Sequence, residues 1–286
     1  MIRNAWIPFI SITYLSLAAS VAFAEVPENF RRENLVVWCV APPWDLNNRN
    51  AEERATCLSE MGIKRMAFNW RREADFEEEM EQCAKHGIDF FAFWNEHEEA
   101  FGLFEKRGIR PQIWKTNQTP KVEGQQAKVK AAADRMMPFA QRAKELGCRF
   151  GLYNHGRWGG EPRNLVAVCE ELRDRGLENV GIVYNFHHAH PQIEEFADSL
   201  KEMLPYLMCL NLNGMADAEM VDEKTKENKI LPIGGGLHEG EMIKAVVESG
   251  YKGPIGIIGH LPERDVEEVL RENLDGLDRI LASLSK

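Results

Sequence analysis

The chain has 286 residues, 45 of them acidic and 35 basic, for a net charge of −10. That balance disfavours nucleic acid and anionic lipid as partners, since both need a basic face; it suits a neutral or cationic small ligand.

The first 24 residues read as a secretory signal peptide. Arg3 supplies the positive start, Ile7 to Val21 is the apolar run, and Ala22-Phe23-Ala24 is a small-x-small cleavage site before Glu25. The run is short for a membrane span of ~20 residues, and no other stretch is apolar enough to cross a bilayer. The expectation is an exported protein, periplasmic or secreted, with no membrane association after cleavage. Residues 25–286 then form one domain, near the ~250 residues that a (β/α)8 barrel uses.

Strand one is Leu35 to Val40, stopped by Pro42-Pro43, and Asn50 caps a helix from Ala51 to Met61. Strand two, Lys64 to Phe68, finishes at Asn69-Trp70, and Asp75 opens an acidic helix to His86. Strand three, Ile88 to Phe93, ends in Trp94-Asn95-Glu96-His97, with a helix to Arg107. Strand four, Arg110 to Trp114, ends in Lys115-Thr116-Asn117, before a long helix from about Gln125 to Leu146. Strand five, Arg149 to Tyr153, runs into Asn154-His155-Gly156-Arg157-Trp158, and a helix covers Pro162 to Gly176. Strand six, Val180 to Tyr184, ends in Asn185-Phe186-His187-His188-Ala189-His190. Ile193 to Met203 is helical, and strand seven, Leu207 to Leu212, carries Asn211 with Asn213 just beyond. Asp217 to Lys229 is a charged, solvated loop, and Ile230 to Ile233 reads as a short extra strand. A helix from Glu239 to Ser249, strand eight at Ile255 to Ile258 before Gly259-His260, and a helix from Asp265 to Leu284 complete the chain.

Four helix-to-strand joints share one form: Met61-Gly62-Ile63, His86-Gly87-Ile88, Arg107-Gly108-Ile109 and Leu146-Gly147-Cys148. Glycine there supplies the left-handed residue that ends a helix. Repeated strand–helix units imply parallel strands and a closed barrel without domain linkers. The six cysteines fall in apolar strands and on helices, which favours buried thiols over a disulfide framework.

The polar residues gather at the carboxyl ends of the strands, where α/β barrels bind their ligands. His155 and His188 each follow a strand and carry polar neighbours, and are read as acid/base groups; the alternative is a ring satisfied by a backbone carbonyl. Lys115 is a candidate base, electrostatic stabiliser or Schiff-base former, against a plain surface lysine. Glu96 is a candidate acid or base, against a charge at a helix start. Asn69, Asn154, Asn185, Asn211 and Asn213, with His187 and His260, are candidates to bind hydroxyls, since amides donate and accept. Trp70, Trp94 and Trp158 offer faces for a sugar ring. Gly234-Gly235-Gly236 is either a phosphate cradle of backbone amides or a tight turn. The partner implied is a small carbohydrate.

With the Gly-x-Gly turn at Gly234 to Gly236, the later Gly250-Tyr251-Lys252-Gly253 and the ending of strand six, the chain resembles the xylose isomerase-like TIM-barrel superfamily, in its sugar phosphate isomerase/epimerase branch. The resemblance implies a single α/β (β/α)8 TIM barrel and proton transfer beside a sugar carbonyl. It also implies a divalent metal held by a Glu, an Asp, a His and a second Glu. Those positions carry Tyr153, Asn185, Asn211 and Ile258 here; of the strand-six Asp-x-x-His only His188 remains. Hard ions such as Mg²⁺ and Mn²⁺ favour carboxylate oxygens, so no family-type metal or other cofactor is expected. Zinc through His155, His188 and His260 is the alternative. Two functions follow: an isomerase-, epimerase- or lyase-like enzyme, or a sugar-binding barrel that has lost the reaction. Nuclease activity, as in related apurinic-site enzymes, is disfavoured by the acidic charge and the leader.

Overall fold

The computed structural model describes residues 26–70, 73–222, 224–261 and 263–284; the expected leader lies outside them. Eight parallel strands close in chain order into a barrel: β1 (Leu35–Trp38), β2 (Arg65–Asn69), β3 (Asp89–Trp94), β4 (Gln112–Thr116), β5 (Phe150–Tyr153), β6 (Val180–Asn185), β7 (Leu207–Leu212) and β8 (Ile255–Ile258). Closure is made by β1 on β8, Leu35 opposite Ile255 through Trp38 opposite Ile258. The outer layer is α1 (Ala51–Glu60), α2 (Glu73–Lys85), α3 (Glu98–Arg107), α4 (Gln125–Glu145), the single turn α5 (Arg157–Gly160), α6 (Pro162–Asp174), α7 (Phe196–Met203), α8 (Glu239–Glu248) and α9 (Val266–Leu284).

Local signals set these boundaries. Asn50 caps α1 by accepting from the Glu53 N–H, while the Glu53 carboxylate accepts from the Asn50 N–H, which satisfies two orphan donors at once. The glycines of the four helix-to-strand joints have φ between 65° and 79°, as their position requires. In α9, Val266, Val269, Leu270, Leu274, Leu277 and Leu281 are buried, a stripe of helical period docked on the barrel. Each such side chain contributes about 1.5–3 kcal/mol when fully buried.

Two apolar regions result. One lies between strands and helices; the other fills the barrel and includes Val36, Trp38, Trp114, Tyr153, Val183 and Ile258. Trp114 is fully buried, and Gly151 on the neighbouring strand makes room for it. A Cβ there would stand 3.1 Å from Trp114 Cδ1 and 2.5 Å from Val183 Cγ2. Between α1 and α2, Arg54 and Glu79 form a buried two-pronged ion pair, Nε to Oε1 at 2.9 Å and Nη2 to Oε2 at 2.5 Å.

Three details differ from the sequence reading. The expected strand at Ile230 to Ile233 is a single antiparallel bridge, Gly214 with Leu231, because Pro232 has no N–H to continue a ladder. Strand one stops at Trp38, since Cys39 takes a left-handed φ of 57°. The helix expected from Ile193 begins at Phe196, after a 3-10 turn that contains Pro191. None of the six cysteines forms a disulfide, and five of them are buried. Among the described residues no helix is long and apolar enough to cross a membrane.

Candidate functional site

A cavity of about 860 Å³ opens at the carboxyl ends of β3 to β7. Trp94 and Asn117 line one side, His155 and Arg157 the next, and His188 and His190 the third; Lys226 and Lys229 reach it from the long connection after β7. Beneath lie Trp38, Trp94, Trp114 and Tyr153, whose rings meet edge-on or tilted at 5.8 to 6.4 Å.

The histidines form a string. The His155 and His188 rings are 4.3 Å apart and those of His188 and His187 3.9 Å; His187 stands 6.5 Å from His260. His260 lies against Trp44 at 3.6 Å. Burial holds the His188 imidazole far below its ordinary range, and the nearby charges of His187, His155 and Lys229 push the same way. His187 is held low by burial and by His260 and Lys229. Burial alone brings His260 down to about 4. These three rings are therefore neutral at neutral pH, able to donate one N–H and accept at the other nitrogen.

Polar atoms are left over at the cavity wall. Trp94 Nε1 and Asn117 Oδ1 are buried without a hydrogen-bond partner among the described residues. Asn117 is 1% exposed, and its Nδ2 donates to the Gly159 carbonyl at 3.0 Å. A buried donor or acceptor left unmade costs ~1–3 kcal/mol.

At the positions where the resemblance would put metal ligands, the structure has a chain of amides. Asn211 Nδ2 donates to Asn185 Oδ1 at 2.6 Å, and Asn185 Nδ2 donates to Asn154 Oδ1 at 2.6 Å. The Asn185 N–H also donates to Asn154 Oδ1, and Asn154 Nδ2 returns a bond to the Asn185 carbonyl. The oxygens of Asn154 and Asn185 are thus used within the protein. Tyr153 is a buried phenol whose ionisation is pushed far up by burial, and Ile258 has no donor. This set does not fit a hard divalent ion. Nor do His155, His188 and His260 meet as one trio, because His260 is turned onto Trp44. Among the described residues no three His, Cys, Asp or Glu side chains are placed to share a metal.

The other sequence candidates are distributed as follows. Trp94, His155 and His188 are in the cavity wall. Lys115 donates to Asn95 Oδ1 at 2.9 Å and is ion-paired with Glu96, its ammonium 4.2 Å from the Phe139 ring centre. That side of β4 faces the helices, and it is Thr116, one residue on, that lines the cavity. Trp70 stacks on His97 at 3.8 Å and packs against Phe76, on the helix side of β2, while Asn69 is half-buried at its end. Trp158 donates Nε1 to Gln125 at 2.8 Å. Asn213 is fully buried and donates to the Gly214 carbonyl. The glycine triplet is no open phosphate cradle: the N–H groups of Gly234, Gly236 and Met215 all donate to the Glu239 carboxylate at 2.8 to 2.9 Å. Thr116, Asn117, Arg157, Lys226 and Lys229 were not among the sequence candidates. Side-chain alternation along β4 is enough to find Thr116; the lysines sit in a loop with no pattern.

A family model described as xylose isomerase-like TIM barrel matches residues 14–280. Triosephosphate isomerase of Methanocaldococcus jannaschii is 26% identical over 142 residues, 47% of this chain and 64% of that enzyme, so the match spans less than two thirds of the relative's length. Among solved structures, 3-keto-D-glucoside 4-epimerase from E. coli superposes with a TM-score of 0.60 at 15% identity, over 86% of this chain and 98% of that one. L-ribulose 3-epimerase superposes with a TM-score of 0.65 at 11% identity, over 87% and 94%. At these identities the likeness to the solved structures is one of fold.

Proposed function

The chain belongs to the xylose isomerase-like TIM-barrel family, and on that premise we propose that it acts on a small carbohydrate by shifting a proton beside the sugar carbonyl, as an isomerase or epimerase does. The observation that carries this reading is the His155–His188 pair, 4.3 Å apart, on a cavity that also presents Trp94 and the unpartnered Asn117 Oδ1. Trp94 gives the ring a face, and Asn117 and Trp94 Nε1 take a donor and an acceptor from its hydroxyls.

The two imidazoles take different parts. His155 is exposed and accepts the proton from the carbon next to the carbonyl. His188 is kept neutral by burial, so it offers an N–H to the carbonyl oxygen as the electron pair moves there; a neutral imidazole serves as such an electrophile in other isomerases. Return of the proton to the neighbouring carbon, with the hydroxyl proton passing to the first oxygen, gives the isomer. Return to the same carbon on its other face gives the epimer. No step runs through a metal, because the four family positions do not fit one. Lys115 and Glu96 hold each other at the β3–β4 edge, and the Asn154–Asn185–Asn211 chain braces the strand ends below the cavity. The leader over residues 1–24 would place this activity outside the cytoplasm.

The missing carboxylates, at Tyr153, Asn185 and Ile258, favour a second reading, a sugar-binding barrel without turnover. Calorimetric titration with a panel of aldoses and ketoses, followed by product analysis, separates the two. Binding with conversion supports the enzyme, binding alone supports the second reading, and no binding removes both.

A further inference from the structure

We propose that Arg157 is a further catalytic residue of the proton transfer, a fixed positive charge that holds the enediolate formed when the sugar loses its proton. This deepens the isomerase reading above and rests on it.

The need for such a group follows from the reaction itself. As His155 takes the proton, the C–H electron pair forms a C=C bond and the carbonyl π pair moves onto oxygen, which becomes an oxyanion. His188 offers that oxygen only the dipole of an N–H, because burial keeps its ring neutral. The four family positions, Tyr153, Asn185, Asn211 and Ile258, neither carry a positive charge nor suit a hard divalent ion that would supply one. A guanidinium meets the need. It stays protonated throughout, and its planar fork of donors reaches two oxygens at once, here those on the two carbons of the enediolate. Its interaction strengthens as the negative charge develops, so it favours the transition state over the bound sugar.

The backbone brings Arg157 to the same cavity as the two imidazoles. Gly156 and Arg157 both take left-handed φ values, 62° and 55°, which turn the chain sharply just after His155. For a residue other than glycine this conformation costs ~1–3 kcal/mol, and such residues gather at functional sites where the surroundings hold them. Here the surroundings are the connection after β4. Asn117 Nδ2 donates to the Gly159 carbonyl at 3.0 Å, and the Gly159 N–H donates to Thr119 Oγ1 at 3.2 Å. The contact is close: a Cβ on Gly159 would stand 1.9 Å from the Asn117 carbonyl oxygen. Arg157 itself is exposed at the cavity, and its side chain makes no hydrogen bond or ion pair with the described residues. Arg163, on the next helix, is by contrast paired with Glu161.

The test uses a sugar in which the wild-type protein exchanges the hydrogen beside the carbonyl for deuterium. Arg157→Gln is expected to slow that exchange by ~10²–10³, as loss of one donor to a developing oxyanion does. The dissociation constant of the sugar should change by less than about threefold, since the charge acts in the transition state. An aldonohydroxamate, planar and with two adjacent oxygens like the enediolate, should bind the wild type at least ~10²-fold more tightly than the sugar does, and should lose that advantage in the variant. A role in folding alone would move neither ratio. Arg157→Gly, which relieves the left-handed backbone, should be as slow, and should regain part of the rate when guanidinium ion is added. Wild-type exchange in Arg157→Gln, or a loss of sugar binding as large as the loss of exchange, would overturn this inference and leave the isomerase reading standing. A wild-type protein that binds sugars and exchanges none would remove both.

Discussion

Asn211 Nδ2 lies 2.6 Å from Asn185 Oδ1, both residues at most 1% exposed. The ends of β6 and β7 are therefore joined by side chains as well as by the sheet, and Asn185 extends the chain to Asn154 on β5. Gly256 on β8 leaves the space for it: a Cβ there would stand 1.8 Å from Asn211 Oδ1. Asn185→Leu leaves Asn211 Nδ2 without its acceptor, a buried group unpaired at a cost of ~1–3 kcal/mol, while Asn154 Oδ1 keeps the Asn185 N–H. Urea unfolding is expected to show a lower midpoint at an unchanged slope. Wild-type stability in the variant would mean that the amide chain is not formed.

The buried Arg54–Glu79 pair yields a second prediction. Glu79→Ala leaves a guanidinium without its carboxylate where both side chains are less than a tenth exposed, a loss of ~3–5 kcal/mol. The double variant Arg54→Met, Glu79→Leu should recover most of this, because the cost comes from the charge left behind. Equal destabilisation in single and double variants would assign the loss to packing instead.

Stability should depend on pH through His260. Its folded pKa, about 4, lies below the unfolded value of about 6.5. Between these values the unfolded chain takes up a proton that the native chain refuses, so stability is full above about pH 6.5 and falls as the pH drops toward 4. His187 and His188 are held low as well and act in the same sense. His260→Gln should flatten part of this slope, by roughly 2–3 kcal/mol at most, in urea midpoints measured at pH 7, 6, 5 and 4. A slope identical to that of the wild type would show that His260 titrates normally.

The strand–helix order and its glycine joints were readable because each rests on a local signal, a left-handed glycine or a capping Asn such as Asn50. His155 and His188 were readable because each directly follows a strand, and strand ends of one barrel edge converge. Lys115 and Trp70 were read toward the ligand although alternation along β2 and β4 sends them to the helices, where Phe139 and His97 meet them. The amide chain depends on the register of three strands, such as Asn185 opposite Asn211, which no local window contains. Lys226 and Lys229 depend on one bridge, Gly214 with Leu231. Glu239 could have been paired with the glycine triplet, since an acid in the first turn of a helix seeks exposed N–H groups.

The central claim is proton transfer on a sugar by His155 and His188. The most direct measurement is incorporation of deuterium from D2O beside the sugar carbonyl, followed by NMR over a panel of neutral and anionic aldoses and ketoses. The account predicts that the wild-type protein labels at least one sugar, and that the double variant His155→Asn, His188→Asn labels it more slowly by a factor of ~10²–10⁴ while still binding it. Labelling at the wild-type rate in the double variant, or none by the wild type of a sugar that it binds, would contradict it.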